Sequence, residues 1–138
     1  MSVARSSTWL RAFVVWLLLL LLAVMNGAFR EAFLNRAFGV QAAHVAGTVL
    51  LAVLVVILAL LSRGWIGARN ERDAFLVGVL WTVLVLAFEF LAGHFLFGRS
   101  WQYLLADYDL LAGRVWVAVP IVPLFAPLCI AQLMAATR

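Results

Sequence analysis

The sequence contains one acidic residue far inside a long apolar stretch. Glu89 lies about eight residues, or ~12 Å along a helix, from the nearer end of that stretch. A charged side chain at this depth costs at least ~2.5–3.5 kcal/mol when it faces lipid, so we expect Glu89 to face protein or water. The carboxyl group is then either protonated or paired with a cation. Helical spacing places it on one stripe with Gly78, Thr82 and Gly93, which is typical of a helix–helix contact in membranes.

Cationic partners for Glu89 are expected at the same end of the apolar stretches. Arg114, about one turn inside the last stretch, is the first candidate. Arg30 is the second, with Asn26 one turn below it on the same face, and Glu31 completes a neutral quartet. Two interpretations stay open. The cluster is either a structural clasp that fixes helix register or a site that handles anions or protons.

Two histidines offer different chemistry near the same end. His44 and His94, if they faced each other, could ligate a metal or a haem. However, Glu89 and His94 are five residues apart, which is about 140° around a helix and not the spacing of a ligand pair. The sequence also has no cysteine cluster or second histidine pair to support them. We therefore predict no cofactor and keep metal or haem binding as an alternative.

The composition defines the setting of these residues. The chain has 138 residues, of which 67% are hydrophobic and 12% are charged. A soluble domain is about 45–50% apolar and about 25% charged, so this chain belongs to another class. All ten basic residues are arginines scattered between apolar runs, a pattern that does not indicate nucleic-acid binding. The composition excludes disorder and a disulfide scaffold and indicates an integral membrane protein whose main partner is the lipid bilayer.

Four segments are long enough to cross a bilayer core about 30 Å thick. Backbone groups in lipid must pair within their own segment, so each segment is expected to be a helix. The predicted fold is an all-α integral membrane protein, a four-transmembrane-helix bundle in a single domain over residues 1–138. The spans are expected at about 12–29, 42–61, 74–97 and 111–134.

The two halves of the chain resemble each other weakly. Ala28-Phe29 precedes Phe38-Gly39 by the same interval that separates Ala87-Phe88 from Phe97-Gly98. Two helical hairpins of like orientation would be related by an axis along the membrane normal, as in parallel repeats. Chance recurrence in a sequence rich in Ala, Phe, Gly and Leu is the alternative.

The fourth stretch contains three prolines, each of which removes a backbone donor and bends a helix. They are Pro120, Pro123 and Pro127. By helical angle the opposite stripe carries Arg114, Ala118, Ile121, Phe125 and Gln132. We expect this partly polar stripe to face the bundle and the prolines to lie on the far side.

The arginines that flank the spans predict the orientation. One side carries six of them, namely Arg5, Arg11, Arg63, Arg69, Arg72 and Arg138. The other side carries four, namely Arg30, Arg36, Arg99 and Arg114. The excess predicts that both termini are cytoplasmic and that the Glu/Arg cluster lies in the outer leaflet.

One region resembles a known group of proteins. The similarity rests on Phe88-Glu89-Phe90-x-x-Gly93-His94, Gly98, Trp101, Leu104-Leu105, Asp107-Tyr108, Leu110-Leu111, Gly113-Arg114 and Trp116, and more loosely on Arg30-Glu31. This pattern resembles a small family of uncharacterised four-span bacterial inner-membrane proteins. The resemblance implies a multi-pass location in a bacterial inner membrane and no particular activity.

These features favour a proton- or anion-coupled transporter or ligand-binding protein that uses the outer-leaflet cluster. Four short helices enclose little space, so we expect the pocket to form between protomers of a homo-oligomer. An accessory or assembly subunit of a larger membrane complex is the second hypothesis. A membrane enzyme or haem protein is the third, since the sequence shows no nucleophile–base pair and no glycine-rich phosphate loop.

Overall fold

The computed structural model describes residues 3–112 and 114–138, and Gly113, one of the residues in the resemblance, lies outside them. All regular secondary structure in this part of the chain is helical. The long helices are α1 (Val3–Phe29), α3 (Val40–Ile66), α4 (Glu71–Leu91) and α6 (Ala118–Ala136). The shorter elements are α2 (Asn35–Phe38), α5 (Trp101–Ala106), a 3₁₀ turn (Leu110–Ala112) and two π-helical turns (Arg30–Leu34 and Ala92–Leu96).

The prediction of an all-α bundle with four spans is confirmed. Four helical segments are long and apolar enough to cross a membrane, over Arg5–Phe38, Val40–Ile66, Glu71–Leu96 and Ala118–Ala136. The first segment has 34 residues and is therefore ~51 Å long, which exceeds the hydrocarbon core. The π-helical turn and α2 prolong α1 without a break. The first span predicted at 12–29 is thus the middle of a longer helix.

The fourth helix begins at Ala118, about two turns later than the residue 111 expected from hydropathy. Asp109 is one reason, because its carboxylate accepts hydrogen bonds from the backbone of Leu111 and Ala112 at 3.1 and 3.3 Å. Such a local side-chain cap competes with the α-helix. Pro120 is the other reason, since proline is tolerated best in the first turn of a helix, where its missing N–H needs no partner. Arg114 consequently precedes the helix.

The four long helices pack in the cyclic order α1, α3, α6, α4. Consecutive helices pair within two hairpins, α1 with α3 and α4 with α6, and the hairpins meet through α1–α4 and α3–α6. The helices α3 and α4 lie diagonally opposite each other in the bundle and do not pack together, although the connection between them has only residues 67–70. Gly67, with φ of 73°, ends α3, and Asn70 caps α4 by accepting a 2.8 Å hydrogen bond from the Asp73 amide.

The contact between α4 and α6 is close because of Gly78. A Cβ atom on Gly78 would lie 2.1 Å from the carbonyl oxygen of Leu124 and 3.0 Å from that of Pro123. One turn further, the Thr82 hydroxyl donates a 2.9 Å hydrogen bond to the carbonyl of Pro120. The predicted stripe through Gly78 and Thr82 is therefore a helix–helix contact, as small residues in membranes favour.

The predicted orientation of α6 is wrong. Pro120 and Pro123 are buried in the bundle, whereas Ile121 and Phe125 are exposed on its surface. The reason is that proline leaves carbonyl oxygens without their helical donor, as Pro127 does for Pro123. Those oxygens are better placed against a neighbouring helix than against lipid. The prolines thus form the packing face of α6.

The two hairpins share a local feature at the end of their first helix. Each has a π-helical turn and ends in a Phe-Gly pair, with α2 between the two only in the first hairpin, and Gly39 and Gly98 have φ of 82° and 66°. After Gly39 the chain enters α3 at once, whereas after Gly98 it forms α5 and the 3₁₀ turn before α6. The origin of the halves by duplication stays a prediction.

Candidate functional site

A cavity of about 370 Å³ lies at the end of the bundle that carries both π-helical turns. We call it the outer cavity, after the side predicted from the arginine distribution. Its charged lining residues are Arg30, Glu31, Glu89, Arg99, Asp107 and Arg114. The structure therefore brings four of the five predicted ligand-site residues, all except Asn26, to one space. The residues of one chain line this space, and a further pocket between protomers of a homo-oligomer stays a prediction.

Glu89 lies in the last turn of α4 and is held by two aromatic side chains. The hydroxyl of Tyr108 donates to one carboxylate oxygen, Oε2. The indole N–H of Trp116 donates to the other, Oε1, at 3.0 Å. Tyr108 follows α5 and Trp116 precedes α6, so the Glu89 carboxylate ties two points in the later part of the connection between α4 and α6 back to α4.

The expected ion pair between Glu89 and Arg114 does not form. Arg114 instead pairs with Asp107, whose Oδ1 lies 3.2 Å from the guanidinium Nη1. The late start of α6 is the cause, because it leaves Arg114 in the connection beside Asp107 rather than on the helix facing α4. The Arg114 side chain is 43% exposed, so this pair contributes at most ~1 kcal/mol to stability.

Arg30 lies in the first π-helical turn, and its side chain reaches across to α3. Its Nη1 lies 3.4 Å from Nδ1 of His44, and its side chain packs on Gly47, where a Cβ would be 3.2 Å away. A guanidinium only donates, so Nδ1 accepts and the proton of the neutral imidazole is on Nε2. That Nε2 is buried without a hydrogen-bond partner in the described part of the chain.

The remaining predicted ligand residues have different positions. Asn26 is 5% exposed, does not line the outer cavity, and donates from Nδ2 to the carbonyl of Gly47 at 3.0 Å. It therefore ties α1 to α3 below Arg30, while its Oδ1 is buried with no partner in the described residues. Glu31 is exposed at the rim of the outer cavity.

The two histidines have different neighbours. His44 lines the outer cavity, and its ring centre lies 5.6 Å from that of Trp116. His94 stacks on Trp101 with ring centres 3.9 Å apart, and its Nδ1 bonds the carbonyl of Arg99 at 2.9 Å. Within residues 3–112 and 114–138, no group of three or more His, Cys, Asp or Glu side chains could hold a metal ion.

Two arginines of the outer cavity have no carboxylate partner among the described residues. Arg30 contacts His44, and Arg99 lies over the ring of Tyr103, with its guanidinium carbon 5.3 Å from the ring centre. The single uncommitted carboxylate that lines the cavity is the exposed Glu31. The lining therefore offers to an anion two guanidinium groups that no carboxylate of the described residues neutralises.

Tyr108 keeps the proton of its hydroxyl group at this site. Burial raises the pKa of Tyr108, and its hydrogen bond to the Glu89 carboxylate raises that pKa further. The hydroxyl thus keeps its proton throughout the physiological range. The sequence analysis named arginines as the expected partners of Glu89 and missed this contact with Tyr108. The sequence feature that could have indicated the contact is a tyrosine close to the end of a predicted span, because the hydroxyl of a buried tyrosine usually has a hydrogen-bond partner.

Behind Glu89 lies a smaller, almost entirely apolar cavity of about 130 Å³ in the middle of the bundle, which we call the central cavity. Its walls include Trp16, Leu51 and Val85, and Glu89 and Trp116 line both this cavity and the outer one. The pair formed by Glu89 and Trp116 therefore stands between a charged space and an apolar space.

No family model, no curated protein and no solved structure matches the chain.

Proposed function

We propose that the protein is a proton-coupled membrane transporter or ligand-binding protein that takes a small anion into the outer cavity. The observation that carries the proposal is the position of Glu89, which is bound by neutral donors between the charged outer cavity and the apolar central cavity.

The arginines support an anionic ligand. A guanidinium binds carboxylates and phosphates through two parallel hydrogen bonds, and Arg30 and Arg99 both line the cavity without a carboxylate partner in the described residues. Asp107 already neutralises Arg114. The lining carries three arginines against Glu31, Glu89 and Asp107, so a proton on Glu89 leaves one net positive charge, which an anion with one negative charge would balance.

Glu89 supports coupling to protons. An anion near Arg30 and Arg99 repels the Glu89 carboxylate, so anion binding and proton uptake by Glu89 favour each other. This coupling is reciprocal, because protonation of Glu89 strengthens anion binding by the same factor. The two neutral donors can remain near the carboxyl group in either state, with one hydroxyl rotating to accept.

The test compares Glu89→Gln with the unaltered protein in detergent, with nitrate as the probe because nitrate does not titrate near neutral pH. Anion affinity of the unaltered protein should rise as the pH falls, and the variant should lose the part of this rise that comes from protonation of Glu89. Helical content and elution volume should be unchanged, because glutamine keeps the acceptor for Trp116. A variant with an unaltered pH dependence would contradict the proposal.

A second comparison tests the anion site itself. Arg30→Gln should weaken binding about tenfold or more, as expected for loss of a charged hydrogen bond worth ~1.5–3 kcal/mol. The matched control is Arg36→Gln, since Arg36 is an exposed arginine on the same helical extension that does not line the cavity. Equal losses in both variants would indicate a general charge effect and not a site.

A further inference from the structure

The opposite end of the bundle contains a third cavity, of about 260 Å³, between α3, α4 and α6. We call it the inner cavity. Its charged lining residues are Arg63, Arg69, Glu71 and Arg138. Three guanidinium groups thus face one carboxylate, and none of the three forms an ion pair in the part of the chain that the structure describes.

The tight connection between α3 and α4 holds two of these arginines together. Arg63 is in the last turn of α3, whose end is fixed by the hydrogen bond from the Gly67 amide to the Arg63 carbonyl at 3.1 Å. Arg69 comes immediately before the Asn70 cap of α4.

The floor of the inner cavity is apolar and rigid. It includes Val77, Ile130, Met134 and the fully buried Trp81. The indole N–H of Trp81 donates a 2.8 Å hydrogen bond to the carbonyl of Ala12, which fixes the ring in place. A molecule that fills this space must therefore present a negative group to the rim and hydrocarbon to the floor.

We propose that the inner cavity binds an anionic phospholipid, with the headgroup phosphate on Arg63 and Arg69 and the adjoining hydrocarbon on the floor. The cavity lies at the end of membrane-spanning helices, where lipid headgroups are the most abundant phosphates. Basic pockets between such helices bind anionic headgroups, and arginine matches the geometry of phosphate oxygens. This site is separate from the outer cavity and does not depend on the function proposed for it.

Native mass spectrometry of the detergent-solubilised full chain tests the proposal. Short-chain phosphatidylglycerol and short-chain phosphatidylcholine are added in turn at equal concentration. We expect one phosphatidylglycerol to be retained per chain, with at least tenfold weaker retention of phosphatidylcholine. Equal retention of the two lipids, or none of either, would overturn the proposal.

Two matched arginine variants locate the site. Arg69→Gln should reduce phosphatidylglycerol retention about tenfold. Arg72→Gln is the control, because Arg72 is an exposed arginine three residues away that does not line the cavity. Equal reductions would show attraction to the basic end of the molecule in general, and no reduction in either variant would place the lipid elsewhere.

A third variant separates a lipid site from a phosphate site. Ala131→Leu fills part of the floor without touching the arginines, since Ala131 lines the cavity from α6. It should weaken phosphatidylglycerol binding several-fold and leave inorganic phosphate binding unchanged. If inorganic phosphate alone binds as tightly as the lipid and Ala131→Leu alters neither, the site is for free phosphate and the lipid proposal fails.

Discussion

The carboxylate of Glu89 accepts hydrogen bonds from a phenol and an indole, both of them neutral donors. A buried carboxylate is tolerated when its oxygens are bonded, and a cation is only one way to achieve this. The sequence indicated that Glu89 would face protein, because its depth made lipid exposure costly. It could not indicate the partners, since Tyr108 and Trp116 reach Glu89 only through the path of the connection between α4 and α6.

Tyr108 gives a prediction about alkaline pH. Because burial and then Glu89 raise its pKa, its stabilising contribution is present below about pH 10 and is lost as the pH rises above that value. When the pH is raised and tyrosinate absorbance is followed, one fraction of the absorbance change should appear late, only when the protein unfolds, because Tyr108 keeps its proton until then. Tyr108→Phe should abolish this late fraction, and Tyr103→Phe, which alters the other tyrosine, should retain it. A late fraction that survives in Tyr108→Phe would contradict the assignment.

At the scale of the helices, hydropathy predicted the number of spans and most of their extent. It failed at the start of α6, because Asp109 and Pro120 act through local hydrogen bonds that an apolar average does not contain. The face of α6 was also predicted wrongly. The angular spacing of residues along a helix correctly predicts that the prolines share one face of α6. It does not predict whether that face packs against a neighbouring helix or faces lipid.

The close approach of α4 and α6 gives a prediction about stability. Gly78→Ala should destabilise the protein by ~3 kcal/mol, since the new methyl group meets backbone atoms of α6 that cannot rotate away. Gly27→Ala is the control, because a Cβ on Gly27 meets nothing within 4 Å and alanine favours the helix. Unfolding in a denaturing detergent should show the contrast. A Gly78→Ala variant as stable as the control would mean that α4 and α6 are further apart.

For the molecule as a whole, the arginine distribution makes a prediction about topology. The end that contains the inner cavity carries Arg63, Arg69 and Arg72, and we expect it to face the cytoplasm. A fluorescent protein fused after Arg138 should then be fluorescent in bacterial cells, and an exported phosphatase fused there should be inactive. The reverse pattern would invert the assignment of the outer and inner cavities.

The pairing of the helices has a consequence for how the molecule is made and how it moves. Each hairpin pairs its own two helices, and α3 and α4 stay apart, so the first hairpin can form before the second leaves the ribosome. All three cavities have walls from both hairpins and none is complete in either alone. They therefore lie at the interface between the two hairpins, so a change in the angle between the hairpins would alter the walls of all three cavities.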